Sequence, residues 1–466
     1  MDQVIFANHF LTMTGAGVGY HGTGALAIDH GKIQGLYSRE EGEKIKAKKK
    51  LYLNHHVILP GFIDGHIHSS LAILRGIAQD TDSWMMGALA PFENILTRDE
   101  RLLGSKLAYI EGIKNGTTTF GDYEVFGEDI CQWIEKIGVR GNITQFVRSA
   151  KRKAYKPGEL YEFDEEMGEK SLEENCKLYD KYHNPYGRIR VLIGPQGADF
   201  VHKDLLLRCR KEAIKRKTKI HLHLQQGDRE TEQIEKRYGM RPVEYLDSLG
   251  YLDENLLGVH LTDCTEEEAR LVAKRGVSML FCPGSIGIID GIVPPVLPFL
   301  EEGGKVALGS DQASGNNCHN IFNEMKLTSL FSKIKTKDPK TMPAWKSLRL
   351  ATIDGAKAIG LEDIGSIETG KWADLIAIDL HSPTMQPVYT DPLRNFVPNI
   401  VYAGGKIAMT MVAGEIIFDG EKIHTIDEDE VYQNIKDVVP KISERGKPGF
   451  KETGGINKIF MENGKL

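Results

Sequence analysis

The sequence predicts an α/β protein: a (β/α)8 TIM-type barrel that carries a small composite β-sandwich domain assembled from both ends of the chain. Three observations predict it. From Gly61 onward, apolar runs of strand length alternate with long amphipathic stretches over roughly 300 residues, a repeat whose size suits a closed eight-fold barrel. On either side of that region the texture is short strands separated by turn dipeptides. Several of the apolar runs end in histidine or aspartate, at the barrel face where active sites assemble.

Residues 1–58 form the first part of the sandwich. Val4-Ile5-Phe6-Ala7, Ala25-Leu26-Ala27-Ile28 and Val57-Ile58-Leu59 are its strand-length runs, with Asp29-His30-Gly31-Lys32 as a turn. The barrel spans residues 59–365. Its strand candidates include Gly116–Phe120, Ile189–Ile193, Lys219–His223, Leu257–His260, Ser278–Phe281 and Val306–Gly309, with helical patterns such as Asp204–Lys215 and Glu266–Arg275 between them. Residues 366–425 return to short strands and complete the sandwich, since chain termini often lie close together. Residues 426–466 read as a peripheral tail with one short helix near Val431–Ile442.

Bulk properties narrow the function classes. The chain has 466 residues, enough for one barrel and a satellite domain. Hydrophobic residues make up 41% and charged residues 27%, as in soluble globular proteins. The net charge of −6 and the lack of a basic stripe argue against a nucleic-acid partner. No apolar run approaches the ~20 residues of a membrane span. Six cysteines without a CxxC pair, behind an N-terminus that reads as a strand, point to reduced thiols and a cytoplasmic location.

The chemistry begins at His66-Ile67-His68. Residues two apart on a strand share a face, and at a barrel strand's end that face is the interior. His221-Leu222-His223 closes a second run, His260 ends a third, and Asp311 ends a fourth, in Leu308-Gly309-Ser310-Asp311. Four strands ending this way are hard to attribute to packing, because unpartnered buried polar groups are costly. The pattern points to a metal held by His66, His68, His223 and Asp311. His223 is chosen over His221 because it lies nearer the mouth. A His/Asp set suits one divalent borderline cation, Zn2+ first and Fe2+ second. Such a cation acidifies water for attack on a trigonal carbon. Asp311 is then the proton acceptor, and His260 polarises the substrate or orients the nucleophile.

Leu59-Pro60-Gly61-Phe62-Ile63-Asp64-Gly65-His66-Ile67-His68 resembles the opening signature of the amidohydrolase superfamily. The resemblance runs on through Gly194-Pro195-Gln196, Val259-His260-Leu261, Phe281-Cys282-Pro283-Gly284-Ser285, Leu308-Gly309-Ser310-Asp311, Asn316-Asn317 and Gly365–Leu375. It is most similar to the branch of methylthioadenosine/S-adenosylhomocysteine deaminases, guanine and cytosine deaminases and triazine hydrolases. That resemblance implies a single-metal hydrolase that deaminates an aminated purine, pyrimidine, pterin or triazine, and a small heterocyclic substrate as its partner. It also implies homodimers or higher homo-oligomers. Three departures matter. Gln226 stands where relatives often carry a glutamate, Gln196 where adenosine-type deaminases often carry a histidine, and Ile286 where relatives often carry an asparagine. An amide is no acid or base at neutral pH. Either Gln226 only hydrogen-bonds the substrate, or proton transfer falls to Asp311 and His260. The same departure keeps open a leaving group of chloride or alkylamine, or a ring amide. A non-catalytic scaffold barrel is the remaining alternative.

Trp84, Gln196, Gln226 and His260 are the expected substrate contacts, with Trp84 as a covering aromatic or a packed lid residue. Asn316 and Asn317 are expected to orient Asp311 or its loop, Glu111 to be structural, His55 and His56 to lie outside the site, and His319 to lie on a surface loop.

Overall fold

The computed structural model describes residues 1–81, 84–153, 155, 158–453 and 461–465. Eight parallel strands follow one another in chain order around a single sheet: Phe62–Ile67, Thr117–Glu124, Arg140–Val147, Ile189–Pro195, Ile220–Leu224, Leu256–His260, Ser278–Phe281 and Lys305–Leu308. The first and last meet through a parallel bridge between Ile67 and Asp311. There the Asp311 amide donates to the His66 carbonyl at 2.8 Å, and the His68 amide donates to the Asp311 carbonyl at 3.2 Å. The barrel is therefore nearly closed, and a residue of the site stands at its seam.

Strand alternation sorts the side chains. Ile220, Leu222 and Leu224 pack into the large core under the outer helices, so His221 and His223 fall on the interior face. Ile63, Leu192, Leu257, Val259, Leu280 and Ala307 fill the interior below the site. Arg140–Val147 is a strand without a conspicuous apolar run, because its interior positions Asn142 and Thr144 are polar and buried.

Both ends of the chain share a second eight-stranded sheet. Leu375–Asp379 pairs antiparallel with Lys49–Pro60, matching Leu375 to Pro60 and Asp379 to His56. Val57, Leu59, Ile376 and Ile378 turn towards the barrel, whereas Ile58, Leu375 and Ala377 join a separate apolar cluster with Ile5, Leu26 and Met411. A buried ion pair between Arg140 and Asp374 ties the two sheets together.

The C-terminal helix is longer than its sequence suggests, running from Glu428 to Thr453 through Pro440 and Pro448. Proline and glycine lower intrinsic helicity there, and tertiary packing overrides that cost. Val431 and Ile442 are buried. Arg445 donates to both carboxylate oxygens of Glu100 at 2.7 and 2.6 Å, and the rings of Phe450 and Phe92 lie 5.6 Å apart. Gly446 faces the Phe92 ring so closely that a Cβ there would come within 2.2 Å of it. Gly446→Val is therefore expected to push the helix off the Ala90–Glu93 helix, costing about 1–3 kcal/mol as overpacking does. Urea denaturation would show the loss, and limited proteolysis would show earlier cleavage near residue 427. An unchanged midpoint and digestion pattern would mean the contact yields freely.

Candidate metal centre

His66, His68, His223, His260 and Asp311 converge at the C-terminal mouth of the barrel, and each arrives there by a local device. A register shift between Asp64 and Ile67 breaks the alternation of the first strand. It lets Ile63 face the interior and Ile67 the outer core while His66 still turns inward. Leu257 and Val259 already occupy the interior face, so strict alternation would send His260 outward. The backbone at His260 instead adopts φ 75°. Asp311 is likewise left-handed at φ 56°. Non-glycine residues held there cost of order 1–3 kcal/mol each, and such strain concentrates at functional sites.

The hydrogen bonds fix which ring nitrogens face the centre. His68 Nδ1 donates to the Tyr123 carbonyl at 2.8 Å, and His223 Nδ1 donates to the Gln196 carbonyl at 2.7 Å. A carbonyl can only accept, so each Nδ1 carries a proton. The two Nε2 atoms nevertheless lie 3.2 Å apart. Two lone pairs at that distance repel unless a positive charge lies between them. His66 Nε2 is buried and unpartnered, as are both ring nitrogens of His260. Asp311 Oδ1 lies 3.5 Å from His66 Nε2 and 3.6 Å from His68 Nε2. Ligand atoms of His66, His223 and His260, and of His66, His68 and Asp311, form two groups each spanning no more than 4.8 Å. This donor set fits a divalent cation of the zinc type.

A ligating imidazole must be neutral, and burial favours the neutral form of His66, His221, His223 and His260. It takes His221 down to about 3, His260 to about 4, and His66 and His223 well below the usual histidine range. Burial works to raise the Asp311 carboxyl, but His260, His68 and the Ser285 hydroxyl outweigh it and hold it below its ordinary value. His221 lies behind the centre, with Nε2 2.9 Å from His66 Nδ1 and Nδ1 3.0 Å from the Thr144 hydroxyl.

A cavity of about 120 Å3 opens beside this cluster, lined among others by Trp84, Arg148, Gln196, Gln226 and Asp311. A neighbouring cavity of about 500 Å3 shares Trp84, Met85, Met86 and Gln226 with it. Trp84 begins a π-helical segment, Trp84–Leu89, and bonds the Asp290 carboxyl. The Gln196 side chain accepts from Arg148 at 3.0 Å. The Gln226 backbone N–H donates to the Glu230 carboxylate at 2.9 Å. His319 is not on a surface loop. It is 1% exposed and bonded to Ser310, the residue before Asp311. The polar stretch around it, Asn316–Asn320, gave no periodicity from which burial could be read. Asn316 donates to the Ser310 carbonyl at 2.7 Å, and Glu111 pairs with Arg75 at 2.6 Å.

Burial raises the Asp290 carboxyl to about 6, with Asp311 and Asp228 adding to it and Arg229 and Trp84 opposing. The folded chain thus binds this proton more tightly than the unfolded chain does. The resulting stabilisation is complete below about 4, fades as pH rises to about 6, and leaves a constant penalty above. Asp290→Asn should gain about 1 kcal/mol at pH 7, after discounting for partial exposure, and little at pH 4. Urea midpoints at the two pH values test this, and an equal effect at both would exclude ionisation as the cause.

Residues 57–417 match the Amidohydrolase family. The chain is 32% identical over 397 residues to a 5'-deoxyadenosine deaminase of Methanosphaera stadtmanae, covering 84% of this chain and 89% of that one. It is 31% identical over 420 residues to a 5-methylthioadenosine/S-adenosylhomocysteine deaminase of Syntrophobacter fumaroxidans, covering 89% and 92%. Among solved structures, an adenosine deaminase from Xanthomonas campestris with bound zinc superposes with a TM-score of 0.87 at 24% identity, covering 95% of this chain and 99% of that one. An atrazine chlorohydrolase from Arthrobacter aurescens complexed with zinc superposes with a TM-score of 0.81 at 18% identity, covering 94% and 100%. The last two likenesses speak to the fold.

Proposed function

The chain belongs to the amidohydrolase family, and from that premise we propose that it is a zinc-dependent hydrolytic deaminase of an aminated N-heterocycle, adenosine-type compounds first among them. His66, His68, His223 and Asp311 would hold the cation. The observation that carries this reading is the pair of Nε2 lone pairs 3.2 Å apart, ringed by further unpartnered nitrogens. A divalent cation bound there supplies Lewis acidity and makes water nucleophilic at neutral pH.

The protein's own groups do the rest. Asp311 accepts a proton from the attacking water and passes it to the leaving amine. Its other oxygen is held by the Ser285 hydroxyl, which fixes the plane of the carboxylate. His260 has two free ring nitrogens in a buried position and can donate to, or accept from, the reacting carbon's substituents. Gln226 lines the cavity, and its amide orients a ring nitrogen without exchanging a proton with it. Trp84 and Gln196 complete the wall. The relatives named as adenosine-type deaminases support a purine ring. Gln226 keeps one second reading: chloride, which leaves without a proton, or an alkylamine is released instead of ammonia, or a ring amide is opened.

The same reading takes residues 1–58 and 366–425 as one sandwich around the barrel of residues 59–365, with 426–466 as a C-terminal extension. The shared sheet and its separate apolar cluster support it. All six cysteines are free, which supports a cytoplasmic location. Among the described residues no helix is long and apolar enough to cross a membrane.

The test is ammonia release by zinc-loaded protein from a panel of aminated purines, pyrimidines, pterins and triazines, with and without chelator. Chelator-sensitive release from a purine nucleoside is the expected result. Release of chloride or alkylamine alone would establish the second reading, and no turnover with zinc demonstrably bound would overturn both.

A further inference from the structure

Asp311 is held from one side through Ser310, which does not line the cavity. All three polar groups of Ser310 are taken by buried side chains. Its amide donates to Asp64 Oδ1 at 2.9 Å, its carbonyl accepts from Asn316 Nδ2 at 2.7 Å, and its hydroxyl bonds Asp64 Oδ2. The hydroxyl also meets His319 Nδ1 at 2.8 Å. Asp64 and Asn316 belong to the frame of the strand and loop. His319 comes from further along the chain, is fully enclosed, and leaves its Nε2 buried with no hydrogen-bond partner. A packing residue at that place would be apolar, since an unsatisfied buried nitrogen is a net cost. The bond from Nδ1 to Ser310 is the one polar return on burying this ring.

The next residue, Asp311, holds a left-handed backbone that only its surroundings can enforce. A rotation of the Ser310–Asp311 peptide would carry the carboxylate away from His66 and His68, whose Nε2 atoms lie 3.5 and 3.6 Å from its Oδ1. We infer that His319 is a positioning residue for Asp311, acting through the Ser310 hydroxyl to hold the carboxylate in register with the metal-binding histidines. The inference rests on the reading of Asp311 as a metal ligand. Partners that orient ligands in this way commonly carry about 10–100-fold in metal affinity or activity.

The two ring nitrogens can be tested separately. An asparagine at 319 places an amide near the position of Nδ1 and can still bond Ser310. A leucine fills similar space and cannot. Zinc affinity would be measured by chelator competition for the wild type, His319→Leu, His319→Asn, Ser310→Ala and the double variant His319→Leu/Ser310→Ala. Thermal melting would be followed in parallel. His319→Leu is expected to weaken zinc binding about tenfold or more, and His319→Asn to restore it to within about threefold of wild type. The double variant should be no weaker than the worse single one, because both changes cut one path. With purine deamination as a second readout, kcat should fall in step while KM holds.

Equal affinity in His319→Leu and wild type would overturn the inference, and so would losses that track melting temperature and are not rescued by asparagine. Should His319→Leu fail to fold, Ser310→Ala against wild type decides the matter alone: unchanged affinity overturns it. Asp311→Asn serves as the reference. If that change leaves zinc binding intact, the fault lies with the ligand assignment and not with His319.

Discussion

Asp311→Asn and His66→Ala are each expected to remove the metal and abolish turnover, by about a thousandfold or more, equivalent to roughly 4 kcal/mol of transition-state stabilisation. Asp311 is the one carboxylate in the two His/Asp groups at the barrel mouth, and an asparagine there keeps its volume while removing its charge. His66 and His223 are buried and His68 largely so, and without a bound cation the Nε2 lone pairs of His68 and His223 face one another at 3.2 Å. His66 contributes a fully enclosed nitrogen, with its other nitrogen already engaged by His221. Metal content by elemental mass spectrometry, circular dichroism and ammonia release on the same preparations provide the check. Full activity in metal-free protein would sink the mechanism.

His260→Ala should cost more activity than Gln226→Ala. His260 is buried against the cluster with both ring nitrogens uncommitted, and loss of a positioned proton-transfer group removes about 10²–10⁴-fold. Gln226 offers a neutral amide whose loss removes one hydrogen bond, about tenfold in kcat/KM. Steady-state kinetics on the best purine substrate decide the order. The reverse order would mean that the Gln226 amide holds the reacting group, and would move the proton steps away from His260.

Most of the barrel was legible because its strands are buried on both faces and read as apolar runs. The exception, Arg140–Val147, carries polar groups on its interior face where Thr144 meets His221, so the usual signal is absent. The C-terminal helix is longer than its local pattern for a related reason. Its prolines and glycines lower local propensity, and packing against the barrel side, including Phe92 and Glu100, sustains its length.

The barrel, the mixed parentage of the second sheet, and the histidines and aspartate at the strand ends are all written in apolar periodicity and in residue type. How those side chains meet depends on the folded backbone. His66 faces inward through a register shift, His260 and Asp311 through left-handed backbone at residues that give no sign of it, and His319 is buried from a polar loop. Periodicity specifies the facing of a regular strand. Where the backbone departs from the regular strand, the facing is set by long-range hydrogen bonds, such as those of Ser310 with Asp64 and of Asp311 with His66, which local sequence does not encode.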